Sequence, residues 1–175
     1  MAIRPILLNS CAKAATAAEM RFRIDVPIAG RRAARIVALD EGAAAVVRRV
    51  AEQHWSGARF FTCLARNPPV NGNTRSNGAP ADVVLRATDG SESLLSEELA
   101  VADVVVMIAT ADDGAKAASA IGDACTLRGI MTAGLILGEG CEAGAAVSAL
   151  RPHARVLMVT KDEHDVSEVL TALRA

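Results

Sequence analysis

Four carboxylates and two glycines stand in two short loops, Asp40-Glu41-Gly42 and Thr110-Ala111-Asp112-Asp113-Gly114. Carboxylate oxygens are the ligands a hard cation such as Mg²⁺ prefers. A metal gathered by Asp40 and Asp112 would bind phosphate or assist its hydrolysis. The same residues have a plainer use. Each loop precedes a helical stretch, where an acidic side chain accepts from free N–H groups and suits the helix dipole, contributing about 1 kcal/mol. Capping by itself accounts for every one of these positions. Thr110 adds a hydroxyl that suits either a ligand or a turn.

Cys141, in Gly138-Glu139-Gly140-Cys141-Glu142, stands near a helix start, a place that lowers a thiol pKa and makes the thiol reactive. Glu139 and Glu142 oppose that effect. His54 ends a helical stretch, and His164 with Lys161 opens the last one; all three read as surface or end-of-helix residues. Ser91 and Ser93 follow Asp89-Gly90 and read as turn and cap. The cysteines Cys11, Cys63, Cys125 and Cys141 form no C-x-x-C pair and have no histidine at metal-finger spacing. The sequence holds no P-loop, H-E-x-x-H, complete G-x-G-x-x-G or G-x-S-x-G.

The elements that must position these residues alternate. Apolar runs at Arg35–Leu39, Arg59–Leu64, Asp82–Arg86, Asp103–Ala109, Ile130–Leu137 and Arg155–Thr160 read as strands. Val104-Val105-Val106-Met107-Ile108 is continuous rather than alternating, the mark of a strand buried on both faces of a parallel sheet. Helices are predicted over Gly42–Trp55, Ser93–Val101, Gly114–Leu127, Ala143–Leu150 and Glu163–Leu173. The second carries Glu97 and Glu98 on its outside. The last sets Val166, Val169, Leu170 and Leu173 on one face. This alternation predicts an α/β fold: a three-layer, doubly wound, mostly parallel sheet of about six strands, Rossmann-like. Residues 35–175 form its single domain and residues 1–34 an extension, in which Ala12–Arg21 is a candidate helix. Arg66–Ala81, with its Asn-Pro and Asn-Gly steps, reads as a surface loop. For strand order 3-2-1-4-5-6 the ligand crevice lies between the first and fourth strands, which is where the two acidic loops fall.

Two stretches carry a resemblance. Arg35–Ala65 combines a strand, Gly42, an Ala-rich helix start and Gly57-Ala58-Arg59-Phe60-Phe61. Ala102–Ala109 leads through a small-residue helix to Gly129–Ile136. Over roughly Arg35 to Leu137 this pattern of strands and helices resembles the tubulin/FtsZ-like GTPases. The resemblance implies a nucleotide fold with glycine-rich phosphate loops after its first and fourth strands. Here Asp40 and Glu41 replace glycines of the first loop, and only Gly42 is kept. The second loop is shorter, holds Asp112 and Asp113, and keeps only Gly114. The Asn and Asp expected after the second strand align with Leu64 and Arg66, and nothing matches the acidic catalytic loop or the second domain. A polyphosphate needs exposed N–H groups and positive charge, so loops rich in carboxylates argue against GTP hydrolysis.

Composition sets the remaining bounds. The chain has 175 residues, is 51% hydrophobic and only 2% aromatic, and carries a net charge of -1. Such a chain lacks the basic stripe of a nucleic-acid partner. Its charge is uneven: residues 1–66 hold 11 Lys/Arg against 5 Asp/Glu, and the remainder 8 against 15. The two halves attract, either within one folded sheet or between copies. The apolar run of Met1–Leu8 is too short for an export signal, and no stretch reaches the ~20 apolar residues of a membrane span. A cytoplasmic protein with no membrane partner is expected. The expected function is a non-catalytic or weakly ligand-binding domain, a homo-oligomer or an accessory protein, taking at most a small-molecule ligand and no certain cofactor. The alternative is a Mg²⁺-dependent phosphate-ester or nucleotide hydrolase using Asp40 and Asp112.

Overall fold

A computed structural model describes residues 33–64, 83–138, 143–173 and 175. The described residues build one seven-stranded sheet: β1 (Ala34–Ala38), β2 (Arg59–Leu64), β3 (Val84–Ala87), β4 (Glu92–Leu94), β5 (Val104–Ala109), β6 (Met131–Leu137) and β7 (Val156–Thr160). Their order is β4-β3-β2-β1-β5-β6-β7. The pairs β1·β2, β1·β5, β5·β6 and β6·β7 are parallel, whereas β2·β3 and β3·β4 are antiparallel. Five helices accompany them: α1 (Glu41–Ala51), α2 (Leu95–Ala100), α3 (Ala115–Arg128), α4 (Gly144–Leu150) and α5 (His164–Ala172).

Four expectations are corrected by the structure. The sheet has seven strands rather than about six, and the seventh comes from residues expected to start a helix. Asp89-Gly90 turns the chain tightly: Gly90 has φ +87°, and Asp89 Oδ1 accepts from the Ser91 N–H at 2.8 Å. Glu92–Leu94 therefore pairs back on β3, and α2 begins only at Leu95. Glu98, expected on the outside of that helix, is 5% exposed. Ala34, assigned to the extension, is the first residue of β1. The rest of the extension, its candidate helix and the Arg66–Ala81 loop lie outside the described residues.

The core follows from strand geometry. Successive side chains of a strand point to opposite faces, and those of β1 and β5 divide accordingly. Ile36, Ala38, Val106 and Ile108 join a cluster with Val46, Val47 and Val50 of α1 and Val166 and Leu170 of α5. Val37, Leu39, Val105 and Met107 join a second cluster with Leu99 of α2, Ile121 and Cys125 of α3, and Leu150 of α4. All six residues of β5 are buried, as its unbroken apolar run required. α3 lies close because its buried positions are Ala118, Ile121, Gly122 and Cys125. It ends at Gly129, whose φ of +68° closes the helix. Among the described residues no helix is long and apolar enough to cross a membrane.

Candidate functional site

β1 and β5 lie side by side and run parallel, with Val37 opposite Met107 and Ala38 opposite Ile108. Strand order reverses between them, so their carboxyl ends form the crevice in which a ligand of this architecture would sit. The two acidic loops leave the sheet there.

The loops are tied to one another. Asp40 caps α1 by accepting from the Ala43 N–H at 2.8 Å through Oδ1. That same oxygen accepts the Thr110 hydroxyl at 2.6 Å. Oδ2 accepts from the Thr110 N–H at 2.7 Å and the Ala111 N–H at 3.1 Å. One carboxylate thus takes four donors, three of them backbone or hydroxyl groups of the opposite loop. The backbone adds Leu39 N–H to Ile108 C=O at 2.9 Å. Free N–H groups at this edge are what a phosphate would use, and here Asp40 uses them.

The two glycines of these loops serve the same closure. A Cβ on Gly42 would run into the Thr110 hydroxyl oxygen and lie 3.2 Å from Thr110 Cβ. A Cβ on Gly114 would lie 2.5 Å from Leu39 Cβ and 3.0 Å from the Leu39 carbonyl oxygen. Glycine is required at both positions by the neighbouring loop.

Asp112 is turned elsewhere. It stands in a short 3-10 turn, Asp112–Gly114, ahead of α3. Its Oδ1 accepts from the N–H groups of Ala145 and Ala146, at 2.7 and 3.2 Å. Asp112 therefore caps α4, some thirty residues later, rather than the helix it precedes. Glu41 reaches Arg48 at 2.8 Å on the surface, and Asp113 is exposed. The structure thus brings together Asp40, Gly42 and Thr110, sets Gly114 against the adjoining Leu39, and gives Asp112 its own partners. Among the described residues no group of three or more His, Cys, Asp or Glu is placed to hold a metal ion. Cys141 lies outside the described residues.

Two described thiols are inert by environment. Burial pushes Cys63 up to about 11 and Cys125 up to about 12, so both stay protonated at neutral pH.

Sequence reasoning missed a buried ionic cluster at the other end of the strands. Arg35 and Arg59 are register neighbours on β1 and β2. Glu98 of α2 accepts from Arg35 Nε at 2.8 Å and from Arg59 Nη1 at 2.7 Å, one to each carboxylate oxygen. Two like charges side by side on a sheet repel, and Glu98 offsets both. The signal was legible only as an Arg at a core position of β1, which demands a buried acid from a neighbouring element.

Cavities also lie at this amino-end edge. One of about 360 Å³ is lined by Trp55, Phe60, Arg59 and Thr88. Another of about 450 Å³ is lined by Ile130, Thr132, His153 and Arg155. No protein-family model and no curated protein matches the sequence.

Proposed function

We propose that this chain is a non-catalytic, three-layer, doubly wound Rossmann-like domain, a degenerate relative of the tubulin/FtsZ-like GTPases. In this reading it acts in the cytoplasm as a homo-oligomer or as an accessory to a larger assembly. The observation that carries the proposal is the Asp40 carboxylate, which consumes the N–H groups of Ala43, Thr110 and Ala111. A nucleotide phosphate would have to displace an anion already satisfied by four donors, and would meet like charge in doing so. The hydrolase alternative asks Asp40 and Asp112 to leave five N–H groups and a hydroxyl, and no observation favours that exchange.

A thermal-shift and calorimetric series with GTP, GDP, ATP and inorganic phosphate, with and without Mg²⁺, tests the reading. A ligand that prefers the folded state raises its melting temperature; the expected result is no shift and no heat at millimolar ligand. Nucleotide co-purifying at one equivalent per chain, or turnover abolished by Asp40→Asn, overturns it.

A further inference from the structure

The cavity of about 450 Å³ opens at the amino ends of β6 and β7, beside the carboxyl end of α3. It lies at the opposite end of the strands from the Asp40–Thr110 closure, and its volume is that of a small-molecule pocket. One wall is the His153 ring, seated directly on α3. A Cβ on Gly122 would run into that ring. A residue that weakens a helix interior is thus what lets the imidazole lie against the helix.

Hydrogen bonds fix the ring as well. The Thr126 hydroxyl donates its one proton to the Gly122 carbonyl at 2.8 Å. Toward His153 Nδ1, 3.4 Å away, it therefore acts as the acceptor. That assigns a ring proton to Nδ1, and Nε2 faces Asp123 Oδ1 at 3.8 Å. The Thr132 hydroxyl donates to the His153 carbonyl. With its side chain 13% exposed, His153 makes a rigid, preformed wall.

The donors of this cavity are unevenly committed. The backbone N–H groups of Gly129, Ile130, His153, Ala154 and Arg155 all donate to carbonyls of the protein. Both threonine hydroxyls are spent, and Pro152 has no N–H. Arg155 is the exception. It lines the cavity, and among the described residues nothing pairs with its guanidinium. No carboxylate stands among the described lining residues. Residues 123–132 and 151–155, which enclose the cavity, hold three Arg and one Asp. Ile130, Pro152 and Ala154 add apolar surface.

We propose that this cavity binds a small organic carboxylate. The Arg155 fork takes the carboxylate, and a short hydrocarbon body lies along Ile130, Pro152 and the His153 ring. A planar guanidinium matches the two oxygens of a carboxylate. Phosphate would bring more acceptors than one fork satisfies and has no use for the apolar wall. A neutral ligand of the same shape would leave the charge unused.

Titration of the ¹⁵N-labelled full chain with hexanoate, read from amide chemical shifts at constant ionic strength, tests the site. Saturable shifts at Gly129–Thr132 and His153–Arg155 are expected, with a dissociation constant of about 1 mM or tighter. Acetate lacks the hydrocarbon body and hexanol lacks the charge; each should bind at least about tenfold more weakly, as should inorganic phosphate. Arg155→Gln should lower hexanoate affinity about tenfold or more while the amide shifts of Val104–Ala109 stay in place. Arg155→Lys keeps the charge without the fork and should fall between. The absence of saturable shifts at these amides overturns the proposal. So does equal affinity for hexanol, acetate or phosphate, or an Arg155→Gln variant that binds as the parent does. Hexanoate shifts centred on Gly42 and Thr110 overturn both this site and the closed-crevice reading. Nucleotide binding at those loops, with hexanoate still held at Arg155, supports this site and overturns the closed crevice alone.

Discussion

Thr110 donates both its hydroxyl and its backbone N–H to the carboxylate of Asp40, which lies 70 residues earlier in the chain. The bond joins the loops after two adjacent parallel strands, at the one point where the direction of strand order changes. A site that an open crevice would leave to a ligand is filled by the protein's own anion.

Removing that anion should destabilise the fold. Asp40→Ala leaves three N–H groups and a hydroxyl without an acceptor and strips α1 of its cap. The expected loss is about 2–3 kcal/mol, read as a lower midpoint in urea at unchanged slope. Asp40→Asn keeps one carbonyl acceptor and should lose about half as much. Equal stability of all three proteins would show that the interloop bonds contribute nothing.

Glu98 supplies a second, independent test. Arg35 is buried with it, and both arginines rely on its two oxygens. Glu98→Gln offers one acceptor in place of two and removes the negative charge between two guanidinium groups. The expected cost is about 3 kcal/mol, the range found when one partner of a buried ion pair is removed. Circular dichroism on thermal melting checks it, and a change of less than a degree would contradict it.

Much of this was legible in the residues. The unbroken run Val104–Ile108 announced a doubly covered central strand, and the two loops were located because position along the chain locates a crevice. The partners were not legible. Asp40 as the cap of α1 follows from local spacing, but its bond to Thr110 depends on β1 and β5 being neighbours. Asp112 caps a helix some thirty residues away for the same reason: its acceptor faces whatever the sheet brings beside it. Glu98, beside Glu97 in a short helical stretch, is expected on the outside of that helix. Only its register against Arg35 and Arg59 explains its burial.

Acid should weaken the link between α1 and the start of α5. Arg49 donates to both oxygens of Glu163, at 2.9 and 2.8 Å. The hydrogen bond from Arg49 holds the Glu163 carboxyl below the usual glutamate range, against the opposing effect of burial. A carboxyl depressed in the folded state contributes stability above its unfolded pKa of about 4.3 and loses it as pH falls through the lower folded value. The stability difference between the parent protein and Arg49→Gln should therefore be flat from neutrality to about pH 5 and shrink at lower pH. Denaturant midpoints measured across pH 7 to 2.5 check this. Both side chains are well exposed, so the pair's effect is expected to fade in high salt. A difference that stays constant through the acid range would show that Glu163 titrates normally.

Gly42 separates a packing role from a ligand role. If it were kept for phosphate, its replacement would matter only to binding. In this structure its hydrogen faces Thr110, so Gly42→Ala drives a methyl into the hydroxyl that bonds Asp40. Such overpacking costs about 1–3 kcal/mol. Thr110→Ala removes the hydroxyl, and with it both the bond and the nearest obstacle, though Thr110 Cβ would still stand 3.2 Å away. The two changes must then fail to add: Gly42→Ala should cost at least 1 kcal/mol less, about the size of a contact coupling, when made in Thr110→Ala than when made alone. Four urea titrations complete the cycle. Strict additivity would mean that the two loops do not touch as described, and that Gly42 is held for a reason outside the loop closure.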